Sequence, residues 1–145
     1  MVTFQSLLLG RIVIKYGTNA LTRLDKQGNV LGLYRQRIDA IACLCGILRD
    51  RGIETIIVSS GAVVAGMEKK GLRQRPKDVK ELQDLATDGQ LYLFLAYATA
   101  FEGYGLGMRG PLLVTHHNFK TDKERGNLLE RVERGFAEQK ISVLN

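Results

Sequence analysis

Residues 55–66 read TIIVSSGAVVAG. Thr55, Ile56, Ile57 and Val58 favour an extended strand, because side chains branched at Cβ pack well on a pleated surface. The run breaks at Ser59-Ser60-Gly61, and the residues from Ala62 onward suit a helix. Strand, tight turn and helix is the reading. The first N–H groups of that helix would be free to face an anion at the carboxyl end of the strand. A plainer role for Ser60 is that it caps the helix.

The same punctuation occurs earlier in the chain. Residues 11–15 read RIVIK and run into Tyr16-Gly17-Thr18-Asn19, a strand ending in a small, flexible turn. Gly17 would let the backbone approach an oxyanion closely, the Thr18 hydroxyl could donate a hydrogen bond, and Lys15 could neutralise phosphoryl charge. The spacing alone is a weak signal, since a lysine closing a strand beside a turn glycine is commonly solvated punctuation. Two such turns reinforce each other. If their strands are neighbours in one sheet, both open on the same edge and could hold a phosphate donor beside a carboxylate acceptor.

Between and beyond these strands, residues 22–32 read as a polar, glycine-containing connection. Ile38, Ile41, Ala42, Cys45 and Leu48 recur at helical spacing, and Gly52 is a plausible stop. Residues 78–101 read as helix, either one interrupted at Gly89 or two. Residues 111–115 form a third strand candidate, 123–139 a further helix and 141–144 a fourth strand. No internal repeat or low-complexity linker interrupts the pattern. Strands alternating with helices predict an α/β protein, a three-layer α/β/α arrangement with a largely parallel sheet. In such sheets ligands sit at the carboxyl ends of the strands.

Composition bounds the function classes. A chain of 145 residues is one domain at most, and 45% hydrophobic with 25% charged residues argues against disorder or a fibrous architecture. The net charge of +6 raises the question of nucleic acid. The cations are scattered, however, and the densest run (Lys69, Lys70, Arg73, Arg75, Lys77 and Lys80) lacks the interleaved aromatics that stack on bases. A solvated surface is expected there, and no nucleic-acid partner. Cys43 and Cys45 match neither a zinc pair nor a redox Cys-x-x-Cys and read as reduced thiols. The apolar run at 6–9 is too short for a signal core or a membrane span, so no membrane partner and a cytoplasmic location are expected. His116 and His117, adjacent on an extended segment, would point apart and have no third ligand, so no protein metal site is expected.

Taken with their flanks, Ile14-Lys15-Tyr16-Gly17-Thr18-Asn19-Ala20-Leu21-Thr22 and Ile57-Val58-Ser59-Ser60-Gly61-Ala62-Val63-Val64-Ala65-Gly66 resemble the paired opening motifs of the glutamate 5-kinases, within the amino-acid kinase family. Gly71-Leu72 with Arg75-Pro76, Gln83 with Gly89-Gln90, Tyr104-Gly105, Leu112-Leu113-Val114-Thr115 and Ile141-Ser142-Val143-Leu144-Asn145 extend the likeness in order along nearly the whole chain. The resemblance implies an amino-acid kinase fold and transfer of the ATP γ-phosphoryl group to the side-chain carboxylate of glutamate, the opening step of proline synthesis. It assigns Lys15 to the transferring phosphoryl group, Gly17 and Thr18 to the phosphate path, and Ser60, Gly61 and Ala62 to the amino-acid acceptor. Asn145 matches the first residue of a family Asn-Glu-Asn-Asp motif that helps hold glutamate. The implied cofactors are ATP and Mg2+, the metal bridging ATP phosphates and held largely by nucleotide and water.

This sequence departs from the family pattern at Thr87-Asp88, where small apolar residues are usual, and at His116-His117-Asn118, where an Arg-Ala-Asp-like run is common. Those changes bear on substrate geometry more than on fold. On the resemblance, residues 1–145 are the N-terminal part of one amino-acid kinase domain, incomplete at the C-terminus. The family's nucleotide-binding part lies beyond Asn145, and the chain is expected to be inactive alone. Acetylglutamate, aspartate, carbamate and isopentenyl phosphate kinases share the fold and a lysine-glycine opening, but residues 59–66 argue for glutamate. A non-catalytic binding module built on the same sheet is the competing class. Long apolar helices and an unfinished sheet predict exposed hydrophobic surface, which would favour a homo-oligomer.

Overall fold

The computed structural model describes residues 10–145, so the apolar run at 6–9 lies outside the described residues. In chain order the elements are β1 (Arg11–Tyr16), α1 (Thr18–Leu21), β2 (Thr22–Leu24), β3 (Val30–Leu33), α2 (Arg35–Asp50), β4 (Glu54–Ser59), α3 (Ala62–Lys70), α4 (Val79–Gly103), β5 (Gly107–Leu112), a 3-10 turn (His116–Phe119), α5 (Asp122–Ala137) and β6 (Lys140–Leu144). Four strands form one sheet in the order β1-β4-β6-β5, and every neighbouring pair is parallel. A parallel pair needs a crossover, and the helices supply it.

Strand alternation decides which helix covers which face. Thr55, Ile57 and Ser59 of β4 are buried on one side, where the Ser59 hydroxyl lies 2.9 Å from the Tyr97 hydroxyl of α4. Ile141 and Val143 of β6 join that core with Ile38, Ile41 and Cys45 of α2. The opposite face receives α5: a Cβ added at Gly135 would fall 2.6 Å from Ser142 Oγ, and Glu133 accepts from Arg11 at 2.7 Å. Helices on both faces of a parallel sheet make the three-layer α/β/α architecture.

The expected strands and helices are present, with five differences. The polar connection at 22–32 contains a two-stranded antiparallel hairpin, β2 with β3. Its strands are short, and Asp25 closes the turn by accepting from the backbone N–H groups of Gln27 and Asn29, which the glycine and polar residues disguised. Residues 78–101 belong to one continuous helix, because Gly89 is a packing residue and not a break. The third strand spans Gly107–Leu112, earlier than 111–115, and residues 116–119 turn as a 3-10 helix where an extended segment was expected. The turn after β1 is a single helical turn, α1.

Helix α4 runs antiparallel to the strands. Tyr97 meets Ser59 at the carboxyl end of β4, Leu93 packs against Gly61 just beyond it, and Gly89 abuts Ala62 and Gly66 further out. The N-terminal half of α4 therefore stands above the carboxyl edge of the sheet. Apolar side chains remain exposed on several elements, among them Val13, Leu91, Leu95, Leu113 and Leu129. No helix among the described residues is long and apolar enough to cross a membrane.

Candidate active site

Parallel strands put all their carboxyl ends on one edge, and every residue singled out for the site lies there. The register pairs Lys15 with Val58 and Tyr16 with Ser59, so β1 and β4 end level. The Ser60 amide then donates to the Tyr16 carbonyl at 2.9 Å, extending the ladder one step into the two turns. Strands lie about 4.8 Å apart, so the turn after β1 and the turn after β4 are immediate neighbours. Asn145 follows β6, one strand further along, where its amide donates to the Leu112 carbonyl at 3.1 Å and its carbonyl accepts from Val114 at 3.0 Å.

The two turns differ in kind. Gly61 has φ 118°, in the left-handed region, and it precedes α3 without a side-chain cap. Ser60 therefore does not cap that helix: its hydroxyl makes no hydrogen bond among the described residues. The Ser60 carbonyl accepts from Ser59 Oγ at 2.9 Å, and Ser59 is held in turn by Tyr97. Ala62, the first residue of α3, is buried against α4. Gly17, by contrast, has ordinary extended backbone (φ −76°, ψ 164°), and a Cβ added there would meet nothing within 4 Å. Neither conformation nor packing demands a glycine at 17. The open space beside Thr18 is room for another molecule's atoms.

Lys15 is exposed and forms no ion pair among the described residues. A small recess of about 170 Å³ adjoins the turn, lined among others by Thr18, Asn19, Val30, Met67 and Arg75. The loop carrying Arg75 is fastened by the Val30 amide, which donates to the Arg73 carbonyl at 2.8 Å. A larger recess, about 390 Å³, lies at the amino end of the strands beside Glu54, Phe136 and Lys140, remote from these turns.

Beneath the edge the environment is apolar. Burial pushes the Tyr97 phenol up to about 12, and it raises the Tyr16 phenol as well. Tyr97 is thus a neutral hydrogen-bonding post at ordinary pH. Sequence periodicity placed position 97 on a helix but gave no sign of its bond to Ser59. The pairing of two hydroxyls 38 residues apart exists only once α4 is laid across β4.

The residues that depart from the family pattern lie off this edge or on its rim. Asp88 pairs with Lys70 at 2.8 Å on the solvent side of the α3–α4 contact, and the Thr87 hydroxyl donates to the Gln83 carbonyl at 2.9 Å. His117 pairs with Glu124 at 2.5 Å across the 3-10 turn and α5, and His116 is exposed. Among the described residues no three His, Cys, Asp or Glu side chains converge as metal ligands.

Fold and edge together define a parallel α/β protein in which β1 and β4 end in adjoining turns. The chain belongs to the amino acid kinase family, whose model matches residues 10–145. It is similar to the glutamate 5-kinase of Lactiplantibacillus plantarum, with 34% identity over 145 residues, all of this chain and 52% of the relative. It is also similar to the glutamate 5-kinases of Myxococcus xanthus, 34% identical over 93% of this chain and 34% of the relative, and of Rhodococcus opacus, 35% identical over 94% and 36%. The chain thus spans about half the length of the first of these relatives and about a third of the other two.

Proposed function

We propose that this chain carries the phosphoryl- and acceptor-binding part of a glutamate 5-kinase, in which the γ-phosphoryl group of ATP passes to the side-chain carboxylate of L-glutamate. The observation that supports the reading is the joining of the two turns: the Ser60 N–H donates to the Tyr16 carbonyl, and neither the Lys15 ammonium nor the Ser60 hydroxyl has a protein partner among the described residues. Phosphoryl transfer asks little covalent chemistry of a protein and depends on positioning and on charge around the equatorial oxygens. Lys15 supplies that charge at the end of β1. The Ala20 amide donates to the Gly17 carbonyl, while the N–H groups of Thr18 and Asn19 have no partner within the turn, and with the Thr18 hydroxyl they can donate to phosphate oxygens in the space over Gly17. The turn from Ser60 to Ala62 and the side chain of Asn145 hold the amino-acid acceptor.

No general base is required, because a glutamate side chain with an ordinary value near 4.3 is already ionised at neutral pH. The residues of the edge fit a polyphosphate: a free cation, an empty cradle over glycine and unbonded donors. Magnesium bound with ATP would neutralise β- and γ-phosphate charge, held largely by the nucleotide and water. The role fits the opening step of proline synthesis in the cytoplasm, with glutamate and ATP as small-molecule partners.

Backbone amide shifts of the 145-residue protein, titrated separately with inorganic tripolyphosphate and L-glutamate, test the reading. Tripolyphosphate is expected to move the amides of 17–19, and glutamate those of 60–62 and 145. Lys15→Ala is expected to weaken tripolyphosphate about tenfold, the scale of one charge-assisted contact, and to leave glutamate unaffected. Unmoved amides with both ligands, or a Lys15→Ala protein that binds tripolyphosphate as the wild type does, would refute it.

A further inference from the structure

We propose that Arg75 is a second phosphate-binding residue of the kinase site, its guanidinium meeting a phosphate group from the side of the Gly17–Asn19 turn opposite Lys15; this rests on the function proposed above. Arg75 lines the recess of about 170 Å³ together with Thr18 and Asn19. It is exposed, and among the described residues its side chain makes neither an ion pair nor a hydrogen bond. Arg37 also reaches this turn but is already engaged: it donates to the Ala20 carbonyl at 2.9 Å, and its guanidinium lies 4.8 Å from the centre of the Tyr34 ring.

The loop that carries Arg75 is held at both ends and in the middle. As α3 ends, the Leu72 amide donates to the Met67 carbonyl at 2.9 Å; the Arg73 carbonyl accepts from Val30 of the hairpin at 2.8 Å; and Asp78 caps α4 through the Glu81 amide at 2.9 Å. Pro76 stiffens the stretch between them. The backbone of Arg75 is thereby fixed beside the recess while its side chain stays available.

Strand alternation sets the two cations on different sides of the turn. Tyr16 packs against the core beneath α2 and α4, so Lys15, the residue before it, leaves β1 on the opposite face of the sheet. The recess is walled by Val64 and Met67 of α3, and α3 rests on α4 through Gly66 and Gly89. Arg75 therefore approaches from the α4 side. A phosphate chain laid over Gly17 has Lys15 on one flank and Arg75 on the other, with the Thr18 hydroxyl and the Asn19 side-chain amide between them.

A guanidinium suits the rest of the recess. Leu24, Val30, Val64 and Met67 give it apolar walls, along which an arginine stem can lie while its weakly hydrated fork faces the turn. The fork fits two oxygens of one phosphate at once, and apolar surroundings reduce the screening of that contact by water. A carboxylate would satisfy the same fork, so glutamate is the comparison ligand.

The Arg75 Nε–H resonance of the 145-residue protein, followed through tripolyphosphate and L-glutamate titrations, tests the assignment alongside Arg75→Gln, Arg75→Lys and Arg73→Gln. Tripolyphosphate is expected to shift the Arg75 resonance together with the amides of 17–19, and glutamate to leave it still. Arg75→Gln should weaken tripolyphosphate about tenfold, the scale of one charge-assisted contact, and Arg75→Lys, which keeps the charge and loses the fork, several-fold. Arg73→Gln removes the same charge from an exposed position outside the recess and should weaken it by about twofold at most. Equal weakening by the two glutamine variants would reduce Arg75 to diffuse charge and overturn the inference. So would a loss confined to glutamate, or a lowered denaturation midpoint that removes the glutamate shifts as well. If tripolyphosphate moves 17–19 and Lys15→Ala weakens it while Arg75→Gln binds as the wild type does, the inference fails and the function proposed above stands. If tripolyphosphate leaves 17–19 unmoved, both fail.

Discussion

Gly66 on α3 and Gly89 on α4 meet backbone to backbone: a Cβ built on Gly89 would fall 2.3 Å from the Gly66 nitrogen and 1.9 Å from the Ala62 carbonyl oxygen. The contact is reciprocal, since a Cβ on Gly66 would fall 2.1 Å from the Leu85 carbonyl oxygen. Backbone cannot step aside as a flexible side chain can. Gly89→Ala must therefore push the helices apart, at a cost of about 1–3 kcal/mol or more. Urea denaturation checks it, and an unchanged midpoint would contradict so close a contact. Because Ala62 opens α3 directly after the Ser60–Gly61 turn, the same variant should shift the amides of 60–62.

Glu68 fastens the hairpin to α3. Its carboxylate accepts from the Leu33 amide at 2.8 Å and from Arg35 at 2.7 Å, with Glu68 itself half-buried and Arg35 exposed. Solvent screens the Arg35 pair, so the backbone contact carries most of the effect. Glu68→Ala is expected to cost about 1–2 kcal/mol. Hydrogen exchange at Leu33 should accelerate while exchange in β4 changes little; uniform acceleration would mean that the hairpin does not open separately.

Asp88 tests the meaning of a departure from the family pattern. Its pair with Lys70 at 2.8 Å is surface-exposed and screened by solvent, so it contributes little to stability. Asp88→Ala should leave the denaturation midpoint nearly unchanged and leave glutamate-induced shifts at 60–62 intact. A loss of those shifts would make position 88 part of the acceptor site.

The strand-turn-helix at 55–66 and the strand at 11–15 were legible because β-branched runs that stop at small residues have few other readings. Their adjacency was an inference about neighbours that only the sheet order could settle. The hairpin at 22–33 was illegible for a physical reason: its two strands, three and four residues long, are too short to show a period, and its turn is organised by Asp25. Gly89 misled because a glycine in a helix looks alike whether it breaks the helix or admits a second backbone. The partners of Ser59 and the want of one at Gln90 arise from how α4 lies on the sheet, which local pattern does not encode.

Alkaline stability follows from two buried acids. Burial pushes the Cys45 thiol from 9.0 up to about 12 and the Tyr97 phenol from 10.0 up to about 12. Between those values the unfolded chain has lost protons that the folded chain retains, so stability falls as pH rises from about 9 towards 12. Denaturant midpoints at pH 7, 9, 10 and 11 should show a plateau and then a decline. Cys45→Ala should be less stable at pH 7 through lost packing, yet decline less steeply above pH 9. Parallel slopes for the two proteins would mean that Cys45 does not contribute to the decline.

Gly17 and Gly61 end neighbouring strands, and their substitution by alanine should separate a ligand's demand from the fold's. At Gly61 the φ of 118° lies where an L residue is strained, and Gly61→Ala should cost about 1–3 kcal/mol. At Gly17 the backbone is ordinary and the space over Cα is open, so Gly17→Ala should leave stability unchanged, or raise it by about 0.4–1 kcal/mol by restricting the unfolded chain. If that space receives a phosphate, the added methyl group obstructs it, and tripolyphosphate affinity should fall several-fold in a protein that folds as well as the wild type. Equilibrium denaturation and tripolyphosphate titration on the two variants make the comparison. Retained affinity in Gly17→Ala would remove Gly17 from the phosphate path, whereas lost affinity at undiminished stability can come only from the ligand side of the turn.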